Sequence, residues 1–83
     1  MIYVVAGNMQ QYMHYCHINK VHPRQDAYYI MDASRLRGHH WVDGDKLVYY
    51  GTYRERRDLV EILDYVRYLN GCGIKIPTER IIE

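Results

Sequence analysis

The chain has 83 residues, 48% of them hydrophobic and 25% charged, which is the composition of a single small globular domain. Its net charge of +1 excludes a strongly basic, non-specific DNA binder, which needs a dense phosphate-neutralising patch, but leaves nucleic-acid and protein partners open. A domain this short buries a modest share of its surface, so its stability alone is expected to be marginal.

The apolar start, residues 1–6, is too short for a signal sequence or a membrane span, so no membrane partner is expected. Cys16 and Cys72 therefore read as reduced thiols of a cytoplasmic protein and not as a disulfide framework. There is no Phe, but there are 10 Tyr and one Trp. A Tyr ring has an apolar body and a polar tip, so this usage points to half-buried positions and contact surfaces.

Taken in chain order, residues 2–6 form a continuous β-branched apolar run that predicts a strand buried on both faces. Gly7-Asn8 ends it, and Asn8 is a good helix N-cap. Met9, Tyr12, Met13 and Cys16 recur at helical spacing and predict one apolar stripe on a helix of about ten residues, closed before Pro23. Residues 27–31 predict a second strand, stopped at Asp32. A central loop over residues 32–40 follows, then the turn signal Asp43-Gly44-Asp45 and a third strand over residues 46–50. Thr52 and Glu55 have capping-box spacing. Leu59, Ile62, Leu63, Val66 and Leu69 make the cleanest amphipathic stripe in the chain, with Asn70-Gly71 as its stop. Residues 72–83 carry four isoleucines broken by Pro77, and add an edge strand or lie across a partner subunit.

Strands alternating with helices predict an α/β fold: a mostly parallel sheet of three or four strands with two helices, residues 1–70 forming one domain and 71–83 a tail. Ligands on such sheets bind beyond the carboxyl ends of the strands. That rule places Gly7-Asn8, the 32–40 loop and Gly51-Thr52-Tyr53 on one rim. Two helices leave one sheet face or edge thinly covered, so a homo-oligomer is expected.

The chemistry concentrates in the central loop. Arg35 and Arg37 flank Leu36, and in an extended loop they point the same way, as a pair suited to phosphate or carboxylate. Gly38 would let backbone approach the ligand. The competing reading is an ion pair with Asp32, Asp43 or Asp45 that pins the loop. His39-His40-Trp41 either stacks on a base or anchors the loop on the sheet. Gly7, Asn8 and Thr52 add backbone and hydroxyl groups at the rim. His14 and His17, three apart, share a helix face, but without a spaced Cys pair they read as solvated and no metal is assigned. Arg54, Arg56 and Arg57 oppose the dipole of the last helix, which points to an anionic partner or a salt bridge.

Residues 3–11, Tyr-Val-Val-Ala-Gly-Asn-Met-Gln-Gln, resemble the strand-turn-helix that follows the nucleotide-binding helix in phage large terminases and helicase-like ATPases. Ser34-Arg35-Leu36-Arg37-Gly38 with the strand at 47–50 resembles their arginine-glycine segment leading into the Walker B strand. The chain also looks like small proteins encoded in tailed-phage genomes, for which the location would be the host cytosol. The resemblance covers roughly residues 2–58. It implies a phosphate-bearing ligand, a nucleotide or nucleic acid, or a host or phage protein of replication, packaging or defence. The departures are specific. No Gly-Lys-Ser/Thr loop is present, and Gly51-Thr52 stands where the Walker B acidic pair belongs, so Mg²⁺ and the attacking water have no holders. The expectation is a non-catalytic binding module without cofactor. The alternatives are a small nucleotide-acting enzyme using His39 or His40 with Arg35 and Arg37, and a structural or inhibitory protein.

Overall fold

The structure, a computed structural model, describes residues 1–37 and 39–81. Among these, strands and helices alternate: β1 (Ile2–Ala6), α1 (Met9–Ile18), β2 (Ala27–Tyr29), α2 (Ala33–Arg37), β3 (Lys46–Tyr50), a 3₁₀ turn at Tyr53–Glu55, α3 (Leu59–Gly71) and β4 (Thr78–Ile81). The sheet has the order β2-β1-β3-β4 and every pairing is parallel, with Val4 opposite Val48 and Ala6 opposite Tyr50 at its centre. The protein is thus an α/β domain.

Side chains alternate across a strand, and the two central strands are apolar at nearly every position, so each supplies both faces. Val4, Ala6, Val48 and Tyr50 pack with Tyr12, Tyr15 and Cys16 of α1. Tyr3, Val5, Leu47 and Tyr49 pack with Ala33 and Leu36 of α2 and Ile62 of α3. Helices therefore cover both faces of the sheet. The chain reverses its winding between β1 and β3, which makes the ends of those strands the topological switch point.

Several local expectations change. The central loop is helical over Ala33–Arg37, because Ala33 and Leu36 are buried while Asp32 gathers the Ser34 hydroxyl at 2.5 Å. A helical turn sends Arg35 and Arg37 in different directions, so the extended-loop pairing is not formed. On α1 the buried stripe is Tyr12, Tyr15 and Cys16, whereas Met9 and Met13 are 46% and 47% exposed. The wide tyrosine rings take the core side, and Tyr12 can bury its hydroxyl because it donates to Ala27 O at 2.8 Å. The Thr52–Glu55 capping box is also absent. Thr52 caps no helix through its side chain, and α3 starts only at Leu59. That helix runs through Gly71 and is closed beyond it, where Gly73 N–H bonds Asn70 O at 3.1 Å and Ile74 N–H bonds Leu69 O at 3.0 Å, a Schellman arrangement. In the tail, Thr78–Ile81 pairs with β3 as the edge strand. Ile82 and Glu83 lie outside the described residues.

Arg56 resolves the basic start of the last helix as a salt bridge. Its side chain is only 7% exposed and makes a bidentate pair with Asp58, Nε to Oδ1 and Nη2 to Oδ2, both at 3.0 Å. The remaining N–H groups donate to Ala6 O at 3.1 Å, Ile30 O at 2.7 Å and Met31 O at 2.8 Å. A guanidinium has five N–H donors, and all five are used.

Arg56→Ala strips three strand-end carbonyls and Asp58 of their partner, so a loss of about 3–5 kcal/mol is expected in urea denaturation. Arg56→Lys is expected to lose stability as well, because a point ammonium cannot reproduce the planar fork. If either variant unfolds at the parental midpoint, Arg56 does not organise this rim.

Candidate functional site

The residues singled out in the sequence fall into two places. Gly7, Asn8 and Thr52 meet at the switch point, at the ends of β1 and β3. Asn8 caps α1, its Oδ1 accepting from Gln11 N at 2.9 Å. Gln11 then turns its own amide across the gap. Its Oε1 accepts from Gly7 N at 2.9 Å and Thr52 N at 3.0 Å, and its Nε2 donates to Thr52 Oγ1 at 2.9 Å. A Cβ on Gly7 would lie 2.1 Å from Thr52 Oγ1, and one on Gly51, at φ +65°, would lie 2.4 Å from Gln11 Oε1. A side chain at Gly7 would collide with the Thr52 hydroxyl and the Gln11 amide, and one at Gly51 with that amide. The sequence reading missed the role of Gln11. Its signal was the third place after a helix-capping Asn.

The rim is therefore internally satisfied: Gln11 occupies the two strand-end N–H groups, and Arg56 has no donor left over. The second place differs. A cleft of about 340 Å³ is lined by Tyr3, Tyr28, Ser34, Arg35 and His39. Tyr3 and Tyr28 are register partners on β1 and β2, with ring centroids 6.1 Å apart. The helix α2 supplies Ser34 and Arg35, and the segment after it returns His39 over Tyr3, rings 4.3 Å apart. Trp41 stands edge-on to His39 at 4.7 Å and holds that ring in place. His39-His40-Trp41 thus contributes an anchor through two of its members, while His40 is exposed. Arg37 points away and forms a 3.7 Å ion pair with Glu61, both side chains well exposed. Gly38 lies outside the described residues.

The electrostatics of the cleft begin behind it. Asp45 is 5% exposed, and its carboxylate accepts from the Met1 ammonium at 3.2 Å, Val42 N–H at 3.1 Å and His39 Nε2 at 3.1 Å. Burial alone would push the Asp45 carboxyl up, but those hydrogen bonds outweigh it and hold it below the usual carboxylate range. An ionised carboxylate only accepts, so His39 carries its proton on Nε2. When the ring is neutral, its Nδ1 is the acceptor for the Tyr3 hydroxyl, 3.1 Å away. Burial, with the charge of Asp45 and then Tyr28, raises the Tyr3 phenol, so it stays protonated and donates. At the open side, the Arg35 guanidinium has no hydrogen bond or ion pair among the described residues. Its charge, after the Ser34 hydroxyl, helps to hold Asp32 low.

Among the described residues no group of three or more His, Cys, Asp and Glu could hold a metal ion. His14 is engaged in the fold and not simply solvated, for its Nδ1 lies 2.8 Å from the Tyr50 hydroxyl. Cys16 is buried and Cys72 exposed, both as free thiols. No described helix is long and apolar enough to cross a membrane. Comparison with protein-family models, curated proteins and solved structures finds no match to this chain.

The Asp45 carboxyl, lowered in the folded state, contributes stability above its unfolded value that is lost as pH falls through the folded one. Urea midpoints are therefore expected to drop below about pH 4, and to drop less in Asp45→Asn than in the parent. Equal acid sensitivity in both proteins would show that Asp45 is not the anchor described.

Proposed function

We propose that the protein is a small non-catalytic binding module for a phosphate-bearing aromatic ligand, a nucleotide or a nucleotide of a nucleic acid, held in the Tyr3–Tyr28–Arg35–His39 cleft. One observation carries the reading: Arg35 is the arginine of that cleft, and among the described residues its guanidinium makes no hydrogen bond or ion pair. A guanidinium suits phosphate bidentately, and the Tyr28 ring, 40% exposed beside it, offers a face on which a base can stack. The cleft volume lies in the range of small-ligand sites. The rim supports the same choice by contrast, since its N–H groups already have acceptors.

The Asp45–His39–Tyr3 chain of hydrogen bonds favours a second reading, a nucleotide-acting enzyme. In it the group that meets the substrate is the Tyr3 oxygen, because both nitrogens of His39 are engaged within the chain. Incubation with nucleotides followed by chromatography separates the two readings, as a binding module returns its ligand unchanged.

Arg35→Ala is expected to weaken binding of nucleoside monophosphates by about 1.5–3 kcal/mol in calorimetry, while Arg37→Ala leaves affinity at the parental value. Neither change is expected to move the thermal midpoint by more than a few degrees, since both side chains are exposed. Equal losses from the two variants would remove the cleft from consideration.

A further inference from the structure

We infer that anion binding in the Arg35 cleft takes up a proton: the bound anion is met by the Tyr3 hydroxyl, which becomes free to donate only when His39 is protonated. The inference rests on the cleft being the ligand site. It follows from counting donors.

When His39 is neutral, with its proton on Nε2 toward Asp45, the single Tyr3 O–H is spent on Nδ1. Tyr3 therefore presents only lone pairs to the cleft, and lone pairs repel a phosphate or sulfate oxygen. One proton from solvent on Nδ1 reverses the bond. His39 then donates on both sides, to Asp45 and to the Tyr3 oxygen, and the phenolic O–H can rotate toward the cleft. No bond of the buried chain is lost, and the cleft gains a donor and a positive charge close to Arg35. An anion favours the protonated arrangement, so by linkage protonation favours the anion equally.

The groups around His39 fit this exchange. On its far side stands Asp45, paired with the Met1 ammonium, and that carboxylate accepts from the charged and the neutral ring alike. From β1 comes Tyr3, from β2 Tyr28, and from the following segment Trp41, none of them charged. From α2 come Arg35 and, through Ser34, the exposed Asp32. Arg35 opposes a second positive charge in the empty cleft. An anion between Arg35 and Tyr3 removes that opposition.

Phenyl sulfate is the probe, because it joins a ring to an anion that does not titrate near neutrality. Its affinity is measured by calorimetry between about pH 8 and about pH 5.5, the span of histidine titration, in buffers of different ionisation heat that report protons taken up. The expected result is tighter binding at the acid end, approaching tenfold per pH unit at most, with net proton uptake. In His39→Gln both the acid gain and the proton uptake disappear, whatever affinity that variant keeps at pH 8. Tyr3→Phe keeps His39 on Asp45 but has no hydroxyl to hand over, and its acid gain is smaller than the parent's. Binding that is equally tight across the range, or a full acid gain in Tyr3→Phe, overturns the inference while leaving the cleft as a site. If neither phenyl sulfate nor any nucleotide binds, the proposed function fails and takes the inference with it.

Discussion

Parallel strands that end side by side point carbonyl oxygens at one another's neighbourhood, and a small domain must give those acceptors partners or leave them to water. Here one residue does so. The Arg56 guanidinium binds carbonyls at the ends of β1 and β2, takes Asp58 as its counter-ion, and sits at the start of the segment that leads into α3. It therefore fixes three things together: the spacing of the two strand ends, the path of the chain after β3, and the position from which α3 covers the sheet. A buried charge is retained at low cost only when every donor is used, and in Arg56 every donor is.

The rest of the carboxyl rim follows the same economy. Gln11 closes the gap between β1 and β3 with one amide, in space left by Gly7 and Gly51. Open α/β sheets usually offer this gap to a ligand. In this protein its donors serve the fold, and the unspent chemistry lies to the side, where Ser34 and Arg35 of α2 share a cleft with Tyr3 and Tyr28. The cleft there combines a guanidinium that bonds no other described residue, a half-exposed aromatic ring and a histidine locked from behind by a buried carboxylate. Rigid support of this kind suits binding, since ordering costs have been met before the ligand arrives.

Much of the architecture was legible in the amino-acid sequence because it is written in runs. The continuous apolar segments of β1 and β3 and the stripe on α3 need no tertiary information to be read, and parallel pairing follows from their alternation with helices. The helix α2 was not legible, since only Ala33 and Leu36 of its five residues are buried and two apolar positions make no period. For Arg56 the sequence points only to an anionic partner or a salt bridge, because its main acceptors are backbone carbonyls, which leave no trace in residue types. The candidate site was half legible for a similar reason. Arg35 and His39 stand out locally, but Tyr3 joins His39 from 36 positions away, and such a pairing exists only once the sheet is formed. Gly7, Asn8 and Thr52 were correctly seen as neighbours by strand topology, yet what they surround is a side chain of the protein itself.

The proposed ligand site is the α2 cleft and not the carboxyl rim. Titrating isotope-labelled protein with adenosine monophosphate and following backbone amide resonances tests it directly. The largest shifts are expected at Tyr28, Ser34, Arg35 and His39, with Gly7, Gln11 and Thr52 unmoved. Shifts concentrated at Gly7, Gln11 and Thr52, with Arg35 silent, would contradict it.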